Sequence, residues 1–232
     1  MPHLTGCGGR FYAQVMRPLS SSHLHHRRGQ EWDTAGVLLE KLAASAVLDL
    51  PAIFGNARPV ELEIGSGKGT FVLARAAARP ELNFLGIEWA KAYCLYAADR
   101  ARRAGLDNVR MLCADATDCV GRRLAERSVW RMHVYFPDPW AKRRHRRRRL
   151  IQPAFLAAAR RCLAIGGELI VVTDHLDYYW QIQAVLAGAE GLAVVPMPRM
   201  SDQAGELVGS NFERKYIAQG RPFYAAARMR YR

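Results

Sequence analysis

From Pro59 onward the sequence alternates between short apolar runs and longer helical segments, and this alternation constrains the fold more than any other feature. Val60–Ile64, Phe84–Ile87, Val109–Cys113, Met132–Phe136 and Leu169–Thr173 read as strands. Thr70–Ala78, Ala90–Ala104, Thr117–Glu126, Leu150–Leu163 and Tyr178–Ala187 read as the helices that follow them, with Gly105 and Gly166–Gly167 as stop signals. Strictly alternating strand–helix units require crossover connections, and these build a parallel sheet covered on both faces. Leu192–Val195 and Phe223–Met229 read as two further strands. The expectation is an α/β, Rossmann-like fold with a mostly parallel seven-stranded sheet. The stretch between the last two strands shows little regular pattern, and a long irregular segment inside a domain is usually functional or mobile.

The length of 232 residues fits one sizeable domain, placed here at residues 31–232. Residues 1–30, with Gly6, Gly8, Gly9, Ser20–Ser22 and the basic cluster His25–Arg28, read as a flexible tail. The apolar residues Val37, Leu38, Leu42, Val47 and Leu48 suggest an amphipathic helix from Trp32 to about Leu50.

The net charge of +13 calls for a polyanionic partner, nucleic acid or an anionic membrane. The sequence holds no apolar run of the roughly 18 residues that a membrane-spanning helix needs. Its N-terminus lacks the apolar segment of a secretory signal. The five cysteines form no C-x-x-C pair and read as thiols of a reduced compartment, with no metal site expected. A cytoplasmic, membrane-free protein follows, either a monomer or a homodimer.

The sharpest motif is Glu61-Leu62-Glu63-Ile64-Gly65-Ser66-Gly67-Lys68-Gly69, a strand running through G-x-G-x-G into a helix. Glycines at such a turn let the backbone approach a ligand closely. A dinucleotide fingerprint would place its third glycine at position 70, which is Thr70; here it comes one residue early, at Gly69. This spacing resembles the S-adenosylmethionine loop of class I methyltransferases. Acidic residues follow the next two strands, Glu88 and Asp115. A carboxylate at Glu88 can accept from a ribose diol, and one at Asp115 from an adenine amino group. Each acid alone reads more simply as a solvated surface charge. Three carboxylates at successive strand ends, Glu63 included, point to a binding site.

The fourth strand runs into Phe136-Pro137-Asp138-Pro139-Trp140, an aspartate held between two prolines and aromatic rings. Lys142 through Arg149 follow, and seven of those eight residues are Lys or Arg. A charge run is often only a solvated face. This one lies inside the fold beside a rigid acidic turn, which favours phosphate neutralisation.

These residues together resemble the bacterial tRNA (guanine-N7-)-methyltransferases, from about Arg58 to the C-terminus. The resemblance rests on Phe136–Trp140 with Lys142 and the run Arg144–Arg149, on Thr173-Asp174, on Ser210-Asn211-Phe212-Glu213-Arg214-Lys215, and on Gly220-Arg221-Pro222. It implies a class I methyltransferase that uses S-adenosylmethionine and methylates N7 of a guanine in the tRNA variable loop. It implies that Glu63, Gly65, Gly67, Glu88, Asp115 and Asp138 line the cofactor region, and that Asp138 serves catalysis. By the same resemblance Lys142, Asp174, Ser210, Asn211, Phe212 and Glu213 contact the guanosine. Arg144, His145, Arg146, Arg147, Arg148 and Arg149 are then expected to hold the RNA. Ser210-Asn211 replaces a more usual Thr followed by a charged residue, and the arginine run is heavier than is common in the family.

The chemistry limits the part an aspartate can play. Guanine N7 carries a lone pair and no proton, so no general base is needed to create the nucleophile. Positive charge builds on the purine during transfer. Alignment and a negative environment are therefore what catalysis requires. The competing readings are a methyltransferase for an exocyclic base amine, a nicotinamide-dependent dehydrogenase and a non-catalytic RNA-binding module. Thr70 and the arginine run disfavour the dehydrogenase, and acids beside RNA disfavour the pure binder.

Overall fold

The computed structural model describes residues 31–39 and 47–232. The expected N-terminal tail lies outside the described residues. So does the middle of the expected Trp32–Leu50 helix.

Seven strands form one sheet in the order β3-β2-β1-β4-β5-β7-β6. They are β1 (Val60–Ile64), β2 (Asn83–Glu88), β3 (Val109–Cys113), β4 (Val129–Tyr135), β5 (Leu163–Thr173), β6 (Leu192–Val194) and β7 (Tyr224–Arg230). The first five pair in parallel, whereas β7 runs antiparallel to both β5 and β6. The expected Rossmann-like architecture is thus present. The helices are α1 (Leu50–Phe54), α2 (Thr70–Ala78), α3 (Lys91–Arg103), α4 (Pro153–Cys162), α5 (Leu176–Ala187) and α6 (Asn211–Ala218).

Alternation along each strand sorts its side chains between two cores. Leu62, Leu85, Ile87 and Val171 face one side and pack with Leu50, Phe54, Phe155, Leu156, Ile182 and Leu186 from α1, α4 and α5. Phe84, Val109 and Met111 face the other side and pack with Val72, Leu73 and Ala76 of α2 and Ala97, Ala98 and Ala101 of α3. Small residues along α3 let it lie close to the glycine loop. A Cβ added at Gly69 would come within 2.9 Å of the Ala97 Cβ.

Three expectations need correction. The described ends of Trp32–Leu50 are not one helix. Met111 donates its backbone N–H to Val37 O, and Leu39 donates to Met111 O, so this segment borders β3. Main-chain pairing with an open sheet edge outweighs the helical spacing there. The expected helix Thr117–Glu126 is a single turn, Ala116–Asp118, that widens into a π-helical segment, Cys119–Arg123. The patternless stretch before β7 contains α6. Its start follows S-x-x-E, Ser210 to Glu213, and the Ser210 hydroxyl accepts from Glu213 N at 3.1 Å.

One polar cluster lies inside these layers. Glu61, whose side chain is fully buried, receives Arg75 Nε at 3.2 Å, Arg131 Nη1 at 3.0 Å and His133 Nε2 at 3.0 Å. His133 Nδ1 lies 2.7 Å from the Tyr135 hydroxyl. These partners fit a neutral imidazole with the proton on Nε2, accepting from Tyr135 through Nδ1. Burial pushes the Glu61 carboxyl up, but the His133 hydrogen bond and the Arg75 guanidinium outweigh it and hold the group below the usual carboxylate range. Burial moves His133 down, towards the neutral form.

Glu61→Gln should therefore destabilise the fold by about 3–5 kcal/mol, because it leaves two partly buried arginines and the His133 N–H facing an uncharged amide. The sign of the pH effect follows from the lowered folded-state pKa. Glu61's contribution is complete above the ordinary glutamate value of 4.5 and is lost as the pH falls below it. Denaturant unfolding of both proteins at several pH values should show a gap that is widest near neutrality and narrows in acid.

Candidate active site

The parallel strands place their C-terminal ends along one edge of the sheet. Strand order reverses between β1 and β4, with β2 and β3 on one side and β5 on the other. Such a switch point is where ligands of open α/β sheets bind. Ile64 pairs with Val134, so the glycine loop after β1 and the acidic turn after β4 leave the sheet side by side.

In the glycine loop, Gly65, Gly67 and Gly69 have φ of 73°, 53° and 74°. These left-handed values would strain any other residue. Gly69 serves packing against Leu73 and Ala97, whereas a Cβ at Gly65 or Gly67 would meet nothing within 4 Å. Those two glycines therefore open onto free space. The Ser66 hydroxyl is buried and has no hydrogen-bond partner among the described residues.

Glu88 fixes the loop. One carboxylate oxygen accepts from Gly67 N at 2.8 Å and the other from Ala90 N at 2.8 Å. Glu63 is buried, and its carboxylate accepts from Val72 N at 3.2 Å, in the first turn of α2. Burial raises its pKa well above the glutamate value, against the Val72 hydrogen bond, and the nearby Glu88 charge adds to the rise. Asp115 is exposed and caps the next helical turn through Thr117 N at 2.7 Å and Asp118 N at 3.3 Å. Backbone pairing brings its segment beside β2, with Ala114 N donating to Glu88 O at 3.3 Å.

On the other side, Asp138 is exposed at the apex of its turn. Phe136 and Trp140 take φ of 51° and 42°, a region that non-glycine residues seldom occupy. Each such residue costs on the order of 1–3 kcal/mol, so the surrounding structure must hold the turn. Phe136 N donates to Val172 O at 2.7 Å. The Phe136 ring packs against Phe212, Tyr216 and Phe223 with centroids 5.3–6.2 Å apart. The sequence reading passed over α6, which supplies two of these rings. Asn211 Nδ2 also donates to Thr70 Oγ1 at 2.6 Å, tying α6 to the start of α2.

Asp174 follows β5 and receives Arg221 Nη2 at 2.6 Å. The same guanidinium lies 4.3 Å from the centroid of the Tyr216 ring. Phe212 is half exposed beside this cluster, and Ser210 caps α6. Glu213 departs from its expected place against the guanosine. It is fully buried and accepts from Leu207 N at 2.5 Å, Val208 N at 3.0 Å and Gly209 N at 2.6 Å. Three backbone donors commit this carboxylate to the loop before α6.

Arg143–Arg148 form a 3-10 helix. Lys142, Arg143 and Arg147 are exposed and, among the described residues, make no ion pair. Arg146 reaches Asp177 at 2.9 Å, Arg148 lies over the Trp140 ring at 5.1 Å, and Arg144 Nε donates to His145 Nε2 at 3.2 Å. Arg149 differs from its neighbours. It is 2% exposed, with its guanidinium turned inward, so its expected role in RNA binding does not match where its donors point. The unbroken arginine run gave no sign of this inward turn.

The chain is similar to known methyltransferases. Residues 57–226 match the family model described as "Putative methyltransferase". A tRNA (guanine-N(7)-)-methyltransferase of Rhodopirellula baltica is 38% identical over 189 residues, covering 76% of this chain and 70% of that protein. One from Myxococcus xanthus is 39% identical over 178 residues, covering 77% and 86%. Among solved structures, a SAM-dependent methyltransferase from Aquifex aeolicus superposes with a TM-score of 0.51 at 15% identity, covering 74% of this chain and 81% of that one. A SAM-dependent O-methyltransferase from Thermotoga maritima gives 0.50 at 14% identity, covering 75% and 59%. At such identities the likeness speaks for the fold alone, while the sequence relatives and the family model establish membership: the chain belongs to the tRNA (guanine-N7-)-methyltransferase family, within the class I S-adenosylmethionine-dependent methyltransferases.

Proposed function

We propose that this chain transfers the methyl group of S-adenosylmethionine to N7 of a guanine in the variable loop of tRNA, in the cytoplasm. The observation that carries this reading is the register Ile64↔Val134. It sets the open glycine loop and the strained Asp138 turn next to each other at the ligand edge, with the basic 3-10 helix directly behind.

The glycine loop fits S-adenosylmethionine. Gly65 and Gly67 leave room for a ligand, and the Ser66 hydroxyl lacks a partner among the described residues. Glu63, Glu88 and Asp115 supply the acceptors that the amino and hydroxyl groups of this cation require. When bound, it supplies an activated methyl group on a sulfonium. Asp138 supplies negative charge at the other side of the site, where the purine becomes cationic, and Asp174, paired with Arg221, offers a further acceptor. Guanine N1–H and N2–H₂ are donors that a carboxylate can accept, so the same groups also fix the ring's orientation. Lys142, Arg143 and Arg147 face solvent beside this site and are suited to phosphates.

Incubation with labelled S-adenosylmethionine and bulk tRNA, followed by nucleoside mass spectrometry, should yield 7-methylguanosine; a methylated exocyclic amine instead would displace the reading.

Glu88 carries the first of three site predictions. Glu88→Gln should weaken S-adenosylmethionine binding about as much as Glu88→Ala. Both carboxylate oxygens receive backbone N–H groups, so an amide nitrogen would face a donor at Gly67 or Ala90. Charge-assisted hydrogen bonds are worth about 1.5–3 kcal/mol, so calorimetry should show roughly tenfold weaker binding or more. Asp138→Asn should slow single-turnover methylation by about two to three orders of magnitude while leaving tRNA affinity nearly unchanged. Arg143→Ala combined with Arg147→Ala should flatten the salt dependence of tRNA binding, each lost phosphate contact cutting the log–log slope by about 0.7–0.9. An unchanged slope would mean that these arginines are only solvated.

A further inference from the structure

We infer that Arg149 is a positioning residue for the Asp138 turn and not a contact to RNA. The inference rests on the proposed role of that turn at the reacting end of the site.

The guanidinium is used in every direction. Nε donates to Pro139 O at 2.8 Å, Nη1 to Gln181 Oε1 at 2.7 Å and Nη2 to Asp177 Oδ2 at 2.6 Å. Its carbon lies 4.8 Å from the centroid of Tyr178, a ring with no exposure. The Tyr178 hydroxyl in turn accepts from Ile151 N at 3.0 Å. Arg149 thus ties the Pro139 carbonyl to α5, whose Tyr178 and Gln181 in turn hold Ile151, just ahead of α4. At 2% exposure its remaining N–H groups are out of reach of a phosphate.

The turn needs such a tie. Pro137 and Pro139 have no N–H to donate, and Phe136 and Trp140 sit in left-handed backbone conformations. The hydrogen bond from Phe136 N to Val172 O holds one end. Arg149 holds the other, at the Pro139 carbonyl. Asp138 lies between these two anchors. A planar fork with fixed donor directions meets three acceptors at once, and a lysine ammonium cannot reproduce that geometry. Asp177 also receives Arg146 at 2.9 Å, so one carboxylate fastens both the clamp and the exposed basic helix to α5.

The experiment compares Arg149→Lys with Arg147→Ala, Asp138→Asn and the unaltered protein, using one tRNA transcript. Three quantities are measured: the salt dependence of tRNA binding, the single-turnover rate at saturating tRNA, and S-adenosylmethionine affinity as a check on folding. Arg149→Lys should slow the single-turnover rate by roughly tenfold to a hundredfold, the effect of ångström-scale misplacement. It should leave the tRNA affinity and the salt slope as they were. Arg147→Ala should lower the slope by about 0.7–0.9. Gln181→Ala keeps the guanidinium and removes one acceptor, so its rate should fall less; this variant carries the same test if Arg149→Lys does not fold. A slope reduced as in Arg147→Ala, or a normal rate, overturns the inference. An Asp138→Asn variant as fast as the unaltered protein overturns the reading of the turn itself. A slow Asp138→Asn beside a normal Arg149→Lys overturns the clamp alone.

Discussion

The carboxylate of Glu61 joins three parts of the structure that the site cannot do without. It sits on the central strand β1, receives Arg75 from α2, and receives Arg131 and His133 from β4. The glycine loop is the connection between β1 and α2. The Asp138 turn is the continuation of β4. Fixing these elements against a single buried group fixes the relative position of the two halves of the site. A buried ionic cluster of this kind is poor as a source of net stability, since desolvation offsets most of the attraction. What it supplies is direction. Arg131 also reaches Glu168 on β5, so the cluster extends to the strand that ends in Asp174.

A second theme is the division of labour among carboxylates at the ligand edge. Glu88 and Asp115 both accept backbone N–H groups from their own loops. Asp138 stands exposed on a strained turn, and Asp174 is held by Arg221. Glu63 is driven towards its protonated form by burial. A cationic ligand approaching Glu88, Asp115 and Asp174 meets acceptors that are already oriented. Preorganisation of this kind lowers the cost of binding, because the side chains have little freedom left to lose.

Much of this was legible in the sequence. The alternating apolar runs gave strand number and class, because strand–helix–strand units leave few topologies open. The glycine spacing and the strand-end acids marked the loop that is proposed to take the cofactor, since backbone flexibility and charge are both visible in residue identity. Direction of side chains was not. Arg149 reads like its neighbours until the 3-10 helix turns it inward beneath the Pro139 carbonyl. Glu213 reads as a site acid until the loop before α6 wraps three amides around it. The Glu61 cluster joins residues far apart in the chain, and a single sequence carries no signal for such pairs. Helix α6 was missed although Ser210 and Glu213 stand at capping-box spacing, because its eight residues are too few for Phe212, Tyr216 and Ile217 to stand out as a period.

The place of β7 has a consequence for the order in which the molecule is made. It lies between β5 and β6 in the sheet, yet follows both in the chain. As the polypeptide emerges, β5 presents an open edge, and β6 has no neighbour in the sheet, until Tyr224–Arg230 arrive. Arg221, the partner of Asp174, emerges just ahead of that strand. The parallel core with its glycine loop can form while the Asp174–Arg221 side is still incomplete, so a nascent chain can hold one half of the candidate site before the other is finished. The open edge in the interval is also the surface most exposed to wrong pairing with another chain.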